Sequence, residues 1–260
     1  MSGPPDLAPL PAAPLAAAAG TAELARELAD AGVDVIVAYH SSPLRHRGLP
    51  SVTGLLPWAN ANEMTLDLVP EIVTAAASRP VLATVCANDA LRPASAMLAE
   101  LARHGVTGVL NAPTVGLLTG PVRHAIESAG LGFQREIDLM RLARDQGMRA
   151  WGYAFTARQA RDLVRAGAQT VIAHLGITGT GGVAARVART LAAVDRAARL
   201  ADPTVRVLAH GGPISDPAAF TAVRHFARHA EPGRWGFFGA SVFAQAGDVR
   251  QAVSRWRAVL

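Results

Sequence analysis

Two histidines occupy matching positions in the second half of the chain. His174 and His210 each follow a short apolar run and open similar segments, Ala-His-Leu-Gly and Ala-His-Gly-Gly. A histidine at the end of a buried strand can serve as a general base, a general acid or a hydrogen-bond donor to a developing oxyanion. It can equally close a hydrogen-bond network at the edge of a sheet. The residue type alone leaves both roles open.

Two carboxylates are also expected near the ends of predicted strands. Asp89 follows the apolar run 81–85, and Glu136 stands at the start of a predicted helix at 135–146. They are candidates for orienting a histidine or for holding a divalent cation such as Mg²⁺, directly or through water. Either can instead be an ordinary acid at a helix or turn terminus. The sequence has no His-x-His pair and a single cysteine, which argues against a transition-metal site.

Glycine-rich segments offer backbone N–H groups to an anion. Residues 177–182 read Ile-Thr-Gly-Thr-Gly-Gly and precede a predicted helix, so Thr178, Gly181 and Gly182 are candidates for binding a phosphate or carboxylate. Gly211 and Gly212, directly after His210, are candidates of the same kind. No P-loop or dinucleotide fingerprint is complete here, and such glycines also make simple tight turns.

The long segment 41–62 contains a candidate cation for an acidic substrate. Arg45 can clamp a carboxylate with two parallel hydrogen bonds, and its neighbours His46 and Arg47 offer the same type of contact. Cys86, the single cysteine, is typical of core packing rather than of a nucleophile. Further polar residues at strand ends are candidates either for substrate contact or for loop hydrogen bonds, namely Ser41, Asn111, Thr114, Tyr153 and Ser241.

The elements that position these residues repeat along the chain. Apolar runs end on small polar residues and are followed by helical patterns at 33–39, 81–85, 108–110, 150–155, 170–173, 205–209 and 235–238. An eighth, alanine-rich strand is expected within 14–19, although alanine forms strands poorly. This pattern predicts an α/β protein with a single (β/α)8 TIM barrel, with long loops after strands 2 and 4. Residues 1–11 form a flexible Ala/Pro-rich tail in this prediction, and 12–260 form the barrel domain.

Composition excludes several classes of function. All 25 basic residues are arginine, so lysine Schiff-base chemistry and pyridoxal phosphate (PLP) enzymes are excluded. The net charge is +5, but the arginines are dispersed along helices, and no nucleic-acid partner is expected. With no apolar stretch of membrane-spanning length and no basic leader, the sequence predicts a cytoplasmic protein without a membrane partner.

Several segments together resemble the phosphoenolpyruvate hydrolase-like TIM-barrel family, which is also called a TIM-barrel signal transduction family. They are 54–62 (GLLPWANAN), 111–117 (NAPTVGL), 173–178 (AHLGIT), 210–214 (HGGPI) and 236–241 (GFFGAS). The chain departs from the family pattern at His40, at 87–89 and in the six residues after Ser241. The last departure removes a charged pair beside the eighth strand and points to a different substrate from that of typical members.

The resemblance implies an enzyme, either a hydrolase or a lyase, that cleaves a C–C or related bond next to a carbonyl. Its substrate would be a small acidic metabolite of the 2-oxo acid or phosphonate type, with Mg²⁺ as a candidate cofactor, and the protein would be a homo-oligomer. In this hypothesis His174 and His210 move protons, Asp89 and Glu136 orient them or bind Mg²⁺, and Arg45 holds the acidic end. The alternative hypothesis is a non-catalytic barrel that senses a small acidic metabolite and signals to a partner.

Overall fold

The computed structural model describes residues 9–56, 59–177, 184–227 and 233–260. These residues form one closed barrel in which each strand pairs in parallel with the next and the last pairs with the first. The predicted (β/α)8 TIM barrel is confirmed. The strands are β1 (Leu15–Ala19), β2 (Val35–Ala38), β3 (Val81–Val85), β4 (Gly108–Asn111), β5 (Arg149–Ala154), β6 (Thr170–His174), β7 (Arg206–His210) and β8 (Gly236–Gly239).

Helices surround the barrel and fill the longer connections. Short 3₁₀ turns at Ser51–Leu55 and Val115–Leu117 lie in the segments after β2 and β4. The α-helices are α1 (Ala22–Ala31), α2 (Ser42–His46), α3 (Ala61–Ala75), α4 (Ala94–Arg103), α5 (Gly120–Ser128), α6 (Gln134–Asp145), α7 (Ala157–Arg165), α8 (Ala184–Ala201), α9 (Pro217–Phe226), α10 (Ser241–Ala244) and α11 (Val249–Arg257).

Strand residues alternate between the barrel interior and the layer beneath the helices. Ala16 and Ala18 of β1 point inward, whereas Leu15, Ala17 and Ala19 pack toward the helices. Trp151 and Tyr153 of β5 point into the same interior cluster. Since β1 and β5 face each other across an eight-stranded barrel, the alanines leave space for these two large rings. This explains why a poor strand former occupies β1.

Side-chain caps fix where several helices begin. Thr21, Thr156, Asp216 and Asp248 each accept a hydrogen bond from the amide three residues later, at the starts of α1, α7, α9 and α11. Gly32 ends α1 with a φ of 92°, a conformation that glycine adopts without strain. Each of these helices therefore begins at a defined residue.

The opposite end of the barrel is closed by the N-terminal segment. Arg206 donates to the carbonyl oxygens of Leu10 and Pro11 at 2.6 and 2.9 Å. The Leu10 side chain packs against the interior cluster. Most of the predicted tail, residues 1–8, lies outside the described residues. Within the described part of the chain, no helix is long and apolar enough to cross a membrane.

Candidate active site

A small cavity lies where the strands end, on the central axis of the barrel. Its volume is about 30 Å³, which is room for about two water molecules. The segment after β2 covers it, and the ends of β5, β6 and β7 form its floor. The lining residues are Tyr39, His40, Ser41, Arg45, Val52, Gly54, Leu55, Pro113, Thr114, Leu117, Tyr153, His174, Gly176, Ile177 and His210.

Arg45 is the cation of this cavity. It lies on α2, is only 5% exposed, and holds its guanidinium 5.6 Å from the centre of the Tyr39 ring. Its Nε and Nη1 atoms have no hydrogen-bond partner, and no carboxylate among the described residues forms an ion pair with it. Burying an unpaired charge is costly unless a counter-ion binds. The arrangement is therefore suited to an anionic ligand.

The two histidines predicted from the sequence lie side by side on β6 and β7. Their ring centres are 5.0 Å apart, and His174 and His210 are paired in register. His210 Nδ1 lies 2.8 Å from the carbonyl oxygen of Phe238, so this nitrogen carries the proton. His174 Nδ1 instead accepts from the amide of Gly176 at 3.3 Å, which places the proton on Nε2. Hence His210 keeps a free lone pair on Nε2 and His174 keeps a free N–H.

Burial keeps these imidazoles neutral. It lowers the pKa of His210 to about 4 and that of His174 well below 6.5. The Arg45 charge pushes both values further in the same direction. A neutral histidine can accept a proton through one nitrogen and donate through the other. The cavity thus contains one proton acceptor, one N–H donor and one fixed positive charge.

His40 forms a hydrogen bond between the end of β2 and the segment that covers the cavity. Its Nε2 donates to the carbonyl oxygen of Gly54 at 3.2 Å, and burial lowers its pKa to about 4. Gly54 packs so closely that a Cβ there would lie 2.5 Å from the Cβ of Ser41. The 3₁₀ turn Ser51–Leu55 is therefore held against the strand end rather than standing free above it.

Glu136 lies outside the cavity lining, beneath the segment that follows β4. It is fully buried and accepts hydrogen bonds from the Asn111 amide, the Thr114 hydroxyl and the Val115 amide. Burial raises its pKa to about 7. Asn111 in turn accepts from the backbone amide of Tyr153. Glu136 and Asn111 thus hold the backbone around the cavity, whereas Thr114 and Ser41 line it.

Other residues predicted for the site are not part of the cavity lining. Asp89 accepts from Asn62 Nδ2 at 2.9 Å and from the Leu91 amide at 2.8 Å, and so shapes the turn after β3. Ser241 begins α10. Gly211 and Gly212 have φ values of 72° and 60°, and a Cβ on Gly211 would lie 2.4 Å from the Gly176 carbonyl oxygen. Their space is taken by the neighbouring loop.

Three predicted ligand-binding residues, Thr178, Gly181 and Gly182, lie outside the described residues. Tyr39 and His40 line the cavity, although the sequence analysis did not select them. Both inward and outward positions of a buried parallel strand are apolar, so the alternation that reveals an interior Tyr39 is not visible in the sequence. A signal was nevertheless present at 39–42, where Tyr-His-Ser-Ser places four polar side chains at a strand end.

A resident Mg²⁺ ion would need carboxylate and other oxygen ligands. In the described ranges, no three His, Cys, Asp or Glu side chains gather into a metal site. No carboxylate lines the cavity, and the oxygens of Asp89 and Glu136 already accept hydrogen bonds. The described residues therefore do not fit a resident Mg²⁺ ion.

Comparison with known proteins identifies the family. The match to the phosphoenolpyruvate hydrolase-like family covers residues 12–255. The chain belongs to this family. Two tomato (Solanum lycopersicum) proteins, ToMV resistance protein Tm-1(GCR237) and ToMV susceptible protein tm-1(GCR26), are 37% and 36% identical to it over 249 residues. The alignments cover 92% of this chain, which spans about a third (32%) of the length of these curated relatives.

Solved structures share the fold. A phosphonopyruvate hydrolase in complex with oxalate and Mg²⁺ superposes with a TM-score of 0.57 at 15% identity, covering 95% of this chain and 82% of that one. Phosphoenolpyruvate phosphomutase from Streptomyces platensis subsp. rosaceus gives a TM-score of 0.58 at 16% identity, with 94% and 81% covered. At these identities the likeness extends to the barrel alone.

Proposed function

We propose that this protein cleaves a C–C or related bond next to the carbonyl of a small acidic substrate, of the 2-oxo acid or phosphonate type. The observation that carries the proposal is Arg45, a buried and unpaired cation beside two neutral histidines of opposite hydrogen-bonding role. The family's description and the phosphonopyruvate hydrolase and phosphomutase named above support the same class of substrate.

Each group has a defined task in the reaction. Because the cavity has room for only about two water molecules, the segment that covers it has to move outward before a substrate enters. Arg45 then binds the carboxylate and thereby places the carbonyl over the floor of the cavity. His210 Nε2 takes a proton, either from water in hydrolysis or from a substrate hydroxyl in a retro-aldol cleavage. As the bond breaks, its electrons move onto the carbonyl oxygen, where the N–H of His174 stabilises the negative charge of the enolate. The protonated His210 then returns its proton to the enolate carbon, which completes the product and restores the neutral base. No step passes through Mg²⁺, because the described residues do not supply its ligands.

The test is a screen of 2-oxo acids, phosphonates and 1,3-dicarbonyl compounds for product formation, with Mg²⁺ and with EDTA. Arg45→Met should abolish saturable turnover, since it removes the cation while keeping much of the side-chain volume. The matched control is Arg47→Met, because Arg47 lies at the end of the same helix and is exposed. Wild-type rates in Arg45→Met would contradict the proposal.

Isotope labelling and ligand binding distinguish a hydrolase, a lyase and a non-catalytic sensor. Incorporation of ¹⁸O from labelled water into a non-exchanging product group indicates hydrolysis, and its absence with release of a carbonyl product indicates a lyase. Saturable binding of an acid with no product from any compound favours the sensor hypothesis instead of catalysis. The Arg45 substitution should weaken binding in that case as well.

A further inference from the structure

The hydroxyl of Tyr153 is a buried polar group that neither the fold nor the proposed steps use. Tyr153 lies on β5, is fully buried and points into the barrel, where it lines the cavity. Its hydroxyl oxygen has no hydrogen-bond partner of normal geometry, and the nearest phenol is the Tyr39 hydroxyl, which lies close enough to affect its pKa. Buried tyrosine hydroxyls in folded proteins are normally hydrogen-bonded, because an unmade bond costs stability. An unpartnered hydroxyl that faces a cavity is therefore available to a ligand.

The ring of Tyr153 is fixed by its neighbours. Its centre lies 5.0 Å from the His174 ring in an edge-on arrangement and 5.2 Å from the His210 ring. On its third side the Phe238 ring lies 6.2 Å away. The hydroxyl is thus held in place before any substrate arrives, which is the condition for effective electrostatic stabilisation.

The charge state of the phenol determines its role. Burial, reinforced by the neighbouring Tyr39, raises the pKa of Tyr153 well above 10, while the Arg45 charge acts in the opposite direction. The phenol consequently remains protonated at neutral pH and acts as a donor. The guanidinium of Arg45 and the phenol of Tyr153 line the same small cavity, so both can contact one small ligand.

We propose that Tyr153 is a further catalytic residue whose O–H donates a hydrogen bond to the oxyanion formed on the substrate carbonyl. It acts together with the N–H of His174, and the two donors form an oxyanion hole on the barrel floor. This inference rests on the proposed function, because the oxyanion forms only if a bond beside a carbonyl is cleaved.

The experiment compares Tyr153→Phe with Tyr39→Phe, which removes the chain's other phenol hydroxyl from the same cavity. Oxalate is the probe for the planar enolate, and acetate is the probe for the Arg45 contact alone; both are titrated by calorimetry. Tyr153→Phe should weaken oxalate binding roughly 10- to 100-fold and leave acetate binding within about twofold. Its melting temperature should not fall, since the lost hydroxyl had no partner. Tyr39→Phe should lose less oxalate affinity.

With an active substrate, Tyr153→Phe should lower kcat roughly 100-fold and change KM by less than about threefold. Unchanged oxalate binding in Tyr153→Phe, an equal loss in Tyr39→Phe, or no oxalate binding by the wild type would overturn the inference. So would wild-type kcat in Tyr153→Phe, and that result leaves the proposed cleavage standing. If oxalate binding depends on Tyr153 but no compound is cleaved, the proposed function fails and Tyr153 remains an oxyanion-binding residue.

Discussion

His174 and His210 bring the same side chain into the same cavity but present different atoms to it. The difference comes from their backbone partners, an amide for His174 and a carbonyl for His210. The sequence locates both residues through matching segments, yet it contains nothing that distinguishes the two roles. That distinction depends on which loop atoms approach each ring after folding.

The pH dependence of activity should report the state of His210. Its pKa of about 4 means that the imidazole is neutral, and able to accept a proton, at all higher pH values. We expect kcat/KM to be level above about pH 5 and to fall as the pH drops through about 4. The profile should be recorded only where circular dichroism shows the protein folded. An inflection near the ordinary histidine value of about 6.5 would contradict this assignment.

Substitution of His210, the proposed general base, tests its role independently of the pH profile. His210→Gln should lower kcat roughly 100-fold or more, since general base catalysis contributes about that much. The matched control is His46→Gln, because His46 is an exposed imidazole on the same short helix as Arg45. A comparable loss in both variants would show that the effect does not arise at the barrel floor.

At the scale of elements, the segment after β4 is held in place by one buried side chain. Glu136 reaches from α6 to three donors at the start of that segment. Glu136, Asn111 and Thr114 were predicted from the sequence as site residues, and the structure brings all three together. The sequence could not show that the Glu136 side chain points under the segment after β4, because its direction depends on how α6 packs against β4 and β5.

Glu136→Ala should destabilise the protein by roughly 3 kcal/mol, because it leaves three buried donors without an acceptor. Urea denaturation measures the change. The control is Asp138→Ala on the same helix, where the exposed carboxylate pairs with Arg141 and contributes little. Equal stability losses in the two variants would contradict the role assigned to Glu136.

At the scale of the whole molecule, stability should depend on three buried neutral histidines. His40 and His210 each have a pKa of about 4 in the fold, against about 6.5 when unfolded. Between these values the unfolded chain binds more protons, so stability is fully present above pH 6.5 and is lost as the pH falls toward 4. Each of the two should contribute a loss of roughly 2 kcal/mol at pH 5. Glu136, with its raised pKa of about 7, opposes this trend by losing stability as the pH rises through 7.

His40→Gln isolates one of these contributions. The free energy of unfolding should fall less steeply between pH 6.5 and 4.5 in the variant than in the wild type, by roughly 2 kcal/mol at pH 5. Denaturation curves at a series of pH values provide the comparison. Identical slopes would mean that His40 is protonated in the folded protein, against its burial beside Arg45.

The fold was predictable because its strands are visible as local hydrophobic patterns in the sequence. Apolar runs that end in polar residues located seven strands, and the alanine-rich segment supplied β1 despite its low propensity. The strand ends in turn located His174 and His210, whereas Arg45 was a candidate from the long segment after β2. The interior positions of Tyr39 and Tyr153 depend on strand alternation that is hidden when both faces are apolar. The homo-oligomer implied by the family resemblance stays a prediction.

The location of Arg45 on the covering segment affects how substitutions can alter the ligand specificity of the cavity. The imidazoles stand on β6 and β7, where the barrel interior fixes their positions, but the cation stands on the short helix α2 in the covering segment. Substitutions in that segment can therefore alter which charge the cavity selects without repacking the barrel. Ligand selection and proton transfer are assigned to separate parts of the chain, so a new specificity requires changes in only one of them.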